Sequence, residues 1–205
     1  MVSNYLKVEY PQGVNQNYVY LLCEYLVKRY DLRLPGLLLD VGAGTGEYTH
    51  TFMFDCYLNA LPLSDEVDLE GEWFFPTNQA TYIFCKSVLE HIQNTKGFLA
   101  ETKRVLKRRG LVIFLVPDWN SQWRTFYDDS THIKPFTKKG LEQAFKLAGF
   151  KDVKCEYFVQ LPFTWRHRWL FWIPYLVRLL PFPTRCSIKL VRFSRERMLL
   201  LSARK

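Results

Sequence analysis

The segment Leu37-Leu-Leu-Asp-Val-Gly-Ala-Gly-Thr-Gly-Glu47 decides the fold of this chain. It begins as a short, continuous apolar run, which is typical of a strand buried on both faces of a parallel sheet. Gly42, Gly44 and Gly46 then allow the backbone to turn sharply and to approach a ligand closely. A helix predicted to start near Glu47 presents free N–H groups at its positive end. The segment therefore predicts a strand, a ligand-binding turn and a helix.

Helical and strand patterns alternate along the rest of the chain. Ser87 and Glu90 have the S-x-x-E spacing of a capping box and predict the start of a helix, which Arg108, Arg109 and Gly110 would finish. Such alternation predicts an α/β domain with a mainly parallel sheet. The predicted elements are helices over 15–30, 47–54, 87–106 and 137–147, and strands over 37–41, 82–85, 111–116, 154–161 and 197–202.

The positive charge of the chain is concentrated near its end. The 205 residues include 28 Lys and Arg against 20 Asp and Glu, a net charge of +8, but residues 161–205 hold 10 of the basic residues and only Glu196 as an acid. An apolar fraction of 48% with 23% charged residues is a globular composition. We expect a single domain over 1–205 that is near neutral except for one basic element.

Cysteine usage and the first residues indicate the cellular compartment. The five cysteines are odd in number, widely spaced and lack a C-x-x-C pair. We therefore predict free thiols, with neither a disulfide framework nor structural zinc. Residues 1–10 lack the basic start and apolar run of a secretory signal, so we expect a cytoplasmic protein.

Two blocks of sequence resemble one enzyme family. Asp40 followed by the three alternating glycines resembles motif I of the class I S-adenosylmethionine-dependent methyltransferases, and residues 87–117 resemble the block around strands 4 and 5 of that family. A dinucleotide fingerprint would have a glycine where this chain has Glu47, and a phosphate-binding loop would end in Gly-Lys-Ser/Thr. The resemblance implies a Rossmann-like α/β fold: a mainly parallel sheet with an antiparallel last strand, and helices on both faces. It also implies methyl transfer with S-adenosylmethionine as cofactor.

The resemblance assigns cofactor contacts to several residues. The glycine loop would wrap the methionine end of the cofactor, Asp40 would lie near its ammonium group, and Asp68 would lie near the adenine. The alternative for Asp68 is a solvated loop carboxylate. The assigned residues are Asp40, Gly42, Ala43, Gly44, Gly46, Asp68, Leu69, Ser87 and Val88.

Some family features are missing. The acid that usually ends strand 2 and binds the ribose is absent, and only Asn59, or Asp65 and Glu66 beyond Pro62, are available. The span between the glycine loop and Ser87 is also short, so one peripheral helix is expected to be missing. A catalytically degenerate, methyltransferase-like binding protein is therefore an alternative.

One loop after the predicted strand 111–116 contains candidate catalytic residues. We predict that His132 acts as a general base or binds the substrate, with Asp129 orienting it. The alternative is that His132 caps the following helix or packs beneath a lid. His91, after the predicted strand 82–85, is a further candidate, although histidines at this position often only pack. Trp119, Trp123 and Tyr127 are candidates for the wall of the acceptor pocket. No metal-ligand set is predicted.

Residues 162–196 form a basic, aromatic insertion between the last two strands, which we call the basic aromatic segment. Its apolar stretch is interrupted by Pro174 and Arg178 and is too short to span a bilayer. It suits peripheral contact with a membrane, at the inner surface, or with a lipid-linked acceptor. A helical cap packed on the domain is an alternative, and RNA is a less favoured partner.

The acceptor is predicted from two further likenesses. The stretch 131–137 and the late insertion are similar to methyltransferases of bacterial and archaeal surface-glycan pathways. The leading acceptor is therefore a sugar or a lipid-linked glycan, methylated on oxygen or nitrogen. A small molecule and then RNA are the next candidates.

Overall fold

The computed structural model describes residues 15–63, 68–181 and 186–205. In this part of the chain, six strands form one sheet with helices on both faces. The strands are β1 (Leu37–Val41), β2 (Asn59–Leu63), β3 (Ala80–Lys86), β4 (Leu106–Pro117), β5 (Lys151–Phe158) and β6 (Met198–Arg204). The α-helices are α1 (Gln16–Tyr30), α2 (Glu47–Phe54), α3 (Thr95–Val105), α4 (Trp119–Gln122), α5 (Lys138–Leu147), α6 (Pro162–Arg166), α7 (Ile173–Leu179) and α8 (Lys189–Arg195). Short 3₁₀ turns cover Leu89–His91, Phe126–Asp128 and Arg168–Leu170.

The sheet has the order β2-β1-β3-β4-β6-β5. β1 pairs in parallel with β2 and β3, and β3 pairs in parallel with β4. β6 is antiparallel to both of its neighbours, β4 and β5. The predicted α/β architecture, a mainly parallel sheet with an antiparallel last strand, is confirmed.

The predicted capping box is wrong. Ser87 has a φ angle of +55°, which is incompatible with the N-cap of a helix, and the side chain of Glu90 is buried. The helix α3 starts later, where the side chain of Asn94 accepts a hydrogen bond from the N–H of Gly97 at 2.9 Å. It also ends earlier than predicted, and residues 108–110 belong to β4. The chain therefore makes a long turn between β3 and α3, instead of entering the helix directly.

The outer strands β2 and β5 are short or charged. β2 has five residues, of which Asn59, Leu61 and Pro62 are exposed. The described residues between β2 and β3 contain only turns, which agrees with the predicted loss of a peripheral helix. β5, at the other edge, exposes Lys151 and Lys154.

Aromatic packing fixes the helices on the sheet. On one face, α1 and α2 cover the strands, and Phe52 of α2 contacts Phe84 of β3 with ring centroids 5.4 Å apart. On the other face, Phe114 of β4 lies 6.2 Å from Phe98 of α3 and 5.0 Å from Phe145 of α5. Each such side chain contributes about 1.5–3 kcal/mol when it leaves water.

The basic aromatic segment is largely helical where it is described. Its helices α6, α7 and α8 connect β5 to β6, and Phe182 and Arg185 lie outside the described residues. Trp165 packs on Phe158 of the sheet at 4.9 Å and donates its indole N–H to the carbonyl of Val159. None of the helices in the described residues is long and apolar enough to cross a bilayer. Many large apolar side chains of the segment stay exposed: Trp169, Phe171, Trp172, Tyr175, Leu176, Leu179, Leu180, Ile188 and Leu190.

A buried ion pair lies where the chain re-enters the sheet after the basic aromatic segment. Arg197, just before β6, places its Nη2 3.0 Å from Oδ2 of Asp118, just after β4. Its guanidinium also lies 4.0 Å from the ring centroid of Tyr157. The carbonyl of Arg197 accepts hydrogen bonds from the N–H of Asp118 and from the side-chain amide of Gln122. Both side chains are nearly inaccessible to solvent. The pair therefore holds the start of β6 against the end of β4.

We expect Asp118→Asn to lower the free energy of unfolding by about 3 kcal/mol, because the guanidinium stays buried without its counter-ion. The matched control is Asp31→Asn, which breaks an exposed pair with Arg33 and should cost less than about 1 kcal/mol. Urea unfolding measures both. Equal losses in the two variants would contradict the structural role of the buried pair.

Candidate functional site

The glycine loop, residues 42–46, turns away from the carboxyl end of β1. The main-chain N–H groups of Gly42 and Ala43 donate to one acceptor, the carbonyl of Leu63 at the end of β2, at 2.8 and 3.2 Å. The φ angles of the three glycines are +71°, +55° and +85°, a region that residues with a Cβ rarely adopt. The backbone therefore requires glycines here, and the loop is anchored to the neighbouring strand.

Asp40 is a buried carboxylate at the same strand end. Its exposure is 2%, and its Oδ2 accepts a hydrogen bond of 2.7 Å from the hydroxyl of Thr49. Thr49 lies in the first turn of α2, so this bond ties the helix to β1 directly after the glycine loop. An ionised group is costly to bury and is retained where it is bonded or used. Asp40 is therefore suited to bind a cationic part of a ligand.

Ser87 and Val88 follow the adjacent strand at the same edge of the sheet. The N–H of Ser87 donates to the carbonyl of Leu115 at 2.9 Å, and its φ of +55° turns the chain sharply. Val88 is buried. Because β1 and β3 are parallel neighbours, their following loops lie side by side.

Asp68 and Leu69, two of the residues assigned to the cofactor, lie in different environments. Asp68 is exposed, and its side chain accepts a hydrogen bond from the N–H of Glu70, which forms a local turn. Leu69 packs in the core. The carboxylate of Glu70 in turn accepts hydrogen bonds from the N–H groups of residues 93–94, each at 2.8 Å. This segment is thus tied to the loop that follows β3.

Asn59, which was available for ribose binding, is not at this edge. Asn59 is the first residue of β2 and lies opposite Leu37, the first residue of β1. It therefore lies at the amino end of the strands, away from the glycine loop, and ribose binding stays unassigned. Asp65 and Glu66 lie outside the described residues.

His132, Asp129 and His91 are brought together at the carboxyl edge. The Nδ1 of His132 lies 2.6 Å from the carbonyl of Phe126, so this nitrogen carries the proton, and Nε2 lies 3.6 Å from Oδ2 of Asp129. The ring centroids of His91 and His132 are 4.8 Å apart. Asp129 also accepts the hydroxyl proton of Thr131, whose carbonyl lies 3.1 Å from Nδ1 of His91.

His132 does not cap the following helix, because the hydroxyl of Thr137 does so. His132 is half-buried and packs against the ring of Phe126 at 4.5 Å. Its main-chain N–H donates to the carbonyl of Asp129. The helix-capping alternative is therefore wrong. The imidazole is held within its own loop by the carbonyl and the ring of Phe126.

Sequence reasoning missed the importance of Glu90. Its carboxyl group is inaccessible, and its Oε1 lies 4.0 Å from Nε2 of His132. Burial raises the pKa of Glu90 to about 8, while the attraction of Lys86 opposes this shift. Burial likewise lowers the pKa of Lys86, and burial together with the nearby His132 lowers the pKa of His91. The only signal in the sequence was the direct adjacency of Glu90 and His91.

Aromatic side chains flank this cluster. Trp119 contacts Phe126 and Tyr127 with centroids 5.5 and 5.9 Å apart. Tyr127 is 58% exposed, and Trp123 is 54% exposed with Arg124 over its ring. Trp119 and Tyr127 therefore belong to the cluster that holds His132 through Phe126, whereas Trp123 lies at the surface.

Comparison with known families decides the class of the domain. Residues 15–155 match a family model described as a methyltransferase domain. This chain belongs to that methyltransferase family. The predicted kinship with class I S-adenosylmethionine-dependent methyltransferases is confirmed, and S-adenosylmethionine is the cofactor of this family.

Solved structures and a sequence relative agree with the methyltransferase fold. A SAM-dependent methyltransferase from Archaeoglobus fulgidus matches with a TM-score of 0.62, 17% identity and 99% coverage of both chains. Phosphoethanolamine N-methyltransferase 2 of Haemonchus contortus, solved with S-adenosyl-L-methionine, matches 100% of this chain over 60% of its own, with a TM-score of 0.64 and 14% identity. An uncharacterized protein of Methanocaldococcus jannaschii is 26% identical over 133 residues. That match spans 57% of this chain and 65% of the relative.

We expect Gly46→Ala to weaken binding of S-adenosylmethionine several-fold and to lower stability by about 1 kcal/mol. An added Cβ would meet no atom within 4 Å, so the effect comes only from forcing alanine to a φ of +85°. Gly140→Ala in α5, where φ is not positive, is the control. Calorimetric titration and urea unfolding measure the two effects. Unchanged affinity in Gly46→Ala would argue against a role for the loop geometry in binding.

Proposed function

We propose that this methyltransferase domain transfers the methyl group of S-adenosylmethionine to an oxygen or nitrogen of a sugar or lipid-linked glycan. The observation that carries the proposal is the position of the glycine loop and the buried Asp40, at the same sheet edge as the cluster of His91, Asp129 and His132. The cofactor supplies an activated methyl group on sulfur. The protein therefore needs mainly to align the acceptor and to exclude water.

The cofactor would be held by residues from three loops at the carboxyl edge. In this proposal Gly42, Ala43, Gly44 and Gly46 present their backbone to the methionine end, and the carboxylate of Asp40 pairs with its ammonium group. Ser87 and Val88 line the adjacent side. Asp68 is assigned to the adenine end in this proposal, and its exposed side chain, bonded among the described residues only to the N–H of Glu70, fits the alternative of a solvated loop carboxylate equally well. Leu69 packs in the core beside it in sequence.

The acceptor would bind against His132, supported by Asp129 and His91. The hydrogen bond from Nδ1 to a carbonyl fixes the ring of His132, so that Nε2 is the atom with a lone pair. Such a nitrogen is suited to take the proton of a hydroxyl or amine as methyl transfer proceeds. The carboxylate of Asp129 lies close enough to orient the imidazole and to stabilise its charged form.

The exposed face of the basic aromatic segment supports a membrane or lipid-linked acceptor. Trp169 is 70% exposed and Leu179 is 81% exposed, and several further apolar side chains of the segment are exposed with them. Exposed apolar surface of this extent is uncommon on proteins without a partner. Arg166 and Lys189, also exposed, supply positive charge for anionic headgroups. The segment joins the end of β5 to the start of β6. It therefore leaves and re-enters the sheet at the edge that carries the acceptor cluster.

RNA and small molecules are the competing acceptors, and a catalytically degenerate binding protein is the non-enzymatic alternative. Large aliphatic side chains such as Leu176, Leu179 and Leu180 suit lipid better than nucleobases, which stack on aromatic rings. A cytoplasmic location, at the inner surface of a membrane, stays a prediction that accompanies this proposal.

We expect His132→Asn to reduce methyl transfer by about 100-fold or more, while the affinity for S-adenosylmethionine stays within about twofold. His50→Asn is the control, because His50 is exposed on α2. Transfer of a radiolabelled methyl group to nucleotide sugars and to polyprenyl-linked glycans measures activity, and calorimetry measures cofactor binding. Full turnover in His132→Asn would remove the role of His132. Failure of the wild-type protein to bind S-adenosylmethionine or its demethylated product would defeat the enzymatic proposal.

We expect Leu179→Ser to weaken association with anionic phosphatidylglycerol vesicles about tenfold, because burial of a leucine contributes about 1.5 kcal/mol. Leu147→Ser is a matched control, since Leu147 on α5 is 80% exposed while Leu179 is 81% exposed. Vesicle sedimentation, run beside a filter assay with single-stranded RNA, measures both partners. Salt-sensitive RNA binding without vesicle association would contradict membrane contact.

A further inference from the structure

Three side chains at the acceptor end of the site form a compact set of potential ligands. Glu90, His91 and His132 each bring one ligand atom within 4.8 Å of the other two. We propose that these residues bind a divalent first-row transition-metal ion, such as Zn²⁺. The inference rests on the proposed function, because the ion would hold the reactive oxygen or nitrogen of the acceptor.

The environment of Glu90 is the first argument for an ion. The side chain has 0% exposure, and neither carboxylate oxygen has a hydrogen-bond partner. A buried carboxylate without a partner is costly in its ionised form, and a bound metal ion is one of the few groups that can stabilise that form. Lys86 attracts Glu90 electrostatically but donates no hydrogen bond to it, and its Nζ lies 3.5 Å from Oγ of Ser87.

The hydrogen bonds of the two histidines are the second argument. The Nδ1 of His132 bonds to the carbonyl of Phe126, and the Nδ1 of His91 lies 3.1 Å from the carbonyl of Thr131. Histidines that bind metals almost always donate one ring N–H to a carbonyl or carboxylate, which fixes the ring orientation. Both imidazoles therefore already have the support that metal ligation through Nε2 requires.

The ligand atoms lie farther apart than in a loaded site, so ligation requires side-chain rotations that close separations of up to 4.8 Å. The Nε2 of His132 is 4.0 Å from Oε1 of Glu90. Ligand atoms bound about 2.1 Å from a tetrahedral ion lie roughly 3.4 Å apart. Two imidazoles and one carboxylate are also a ligand set of catalytic zinc sites, in which a fourth position stays open for water or substrate.

If an ion binds here, His132 is a metal ligand and does not act as the general base. A divalent ion lowers the pKa of a bound hydroxyl group, so the acceptor's proton can leave to water. The acceptor oxygen then bonds to the methyl carbon, and the electron pair of the carbon–sulfur bond stays on sulfur. His132 would position the acceptor through the ion instead of contacting it directly.

The test uses the full chain, stripped of metal with a chelator and titrated with Zn²⁺ by calorimetry and with Co²⁺ by visible absorption. We expect one ion per chain, with no thiolate-to-cobalt charge-transfer bands, which separates the site from the free cysteines. Glu90→Gln and His132→Asn should each weaken binding by about 100-fold or more. His50→Asn removes an exposed histidine and should leave binding unchanged.

Calorimetry with S-adenosylmethionine shows whether each variant is folded and also separates this inference from the proposed function. No stoichiometric metal binding by the wild-type protein, or equal binding by Glu90→Gln and the wild type, would overturn the metal site. If cofactor binding persists in that case, the proposed methyl transfer stands with His132 acting directly. A folded Glu90→Gln variant that binds the cofactor but not the ion would support the site.

Discussion

The parallel register of the central strands is the constraint on which the site depends. Val41 lies opposite Leu63 in β2 and Cys85 in β3, and Cys85 lies opposite Phe114 in β4. Because these strands run in one direction and end near one another, the chain leaves the sheet repeatedly at one edge. The glycine loop, the turn that holds Glu90 and His91, and the loop that holds His132 share a location for this reason. The register therefore brings residues far apart in sequence to one place, and contacts between the loops, such as that of Thr131 with His91, hold them there.

Three buried carboxylates at this edge show how the protein handles charge there. Asp40 accepts a hydrogen bond from Thr49, and Asp118 pairs with Arg197. Glu90 has neither kind of hydrogen-bond partner. The first two carboxylates hold elements together, α2 to β1 and β4 to the start of β6. Glu90 has no comparable structural task, so its burial requires another explanation, whereas Asp40 combines its structural hydrogen bond with the proposed role at the cofactor.

Much of the fold could be predicted because its signals are local. The apolar run before Gly42 and the glycines themselves identify β1, its turn and α2, and the ends of α5 follow from Thr137 and Gly149, whose φ is +79°. The start of α3 could not be predicted, because the S-x-x-E spacing occurs where a positive φ at Ser87 prevents a cap. Helix capping is decided by backbone conformation, which the residue types alone do not determine.

The candidate site was predictable only in part for a similar reason. The cofactor loop lies within one contiguous motif, whereas Glu90 and His132 lie in two loops whose closeness depends on the pairing of β3 with β4. A sequence shows that both residues exist but not the distance between them. The adjacency of Glu90 and His91 indicates a site only together with the position of His132 beside them, which the fold determines.

The outer strands determine how this domain can associate with other chains. An open strand edge is a template for pairing with another copy, and proteins avoid this with short strands, proline and charge. β2 has only five residues and contains Pro62, which has no N–H to donate, and β5 carries Lys151 and Lys154 on its exposed positions. Growth of the sheet from chain to chain is therefore disfavoured at both sides. Contacts with other molecules are left to the helical surfaces, so an exposed apolar face there does not bring with it the hazard of fibrous self-assembly.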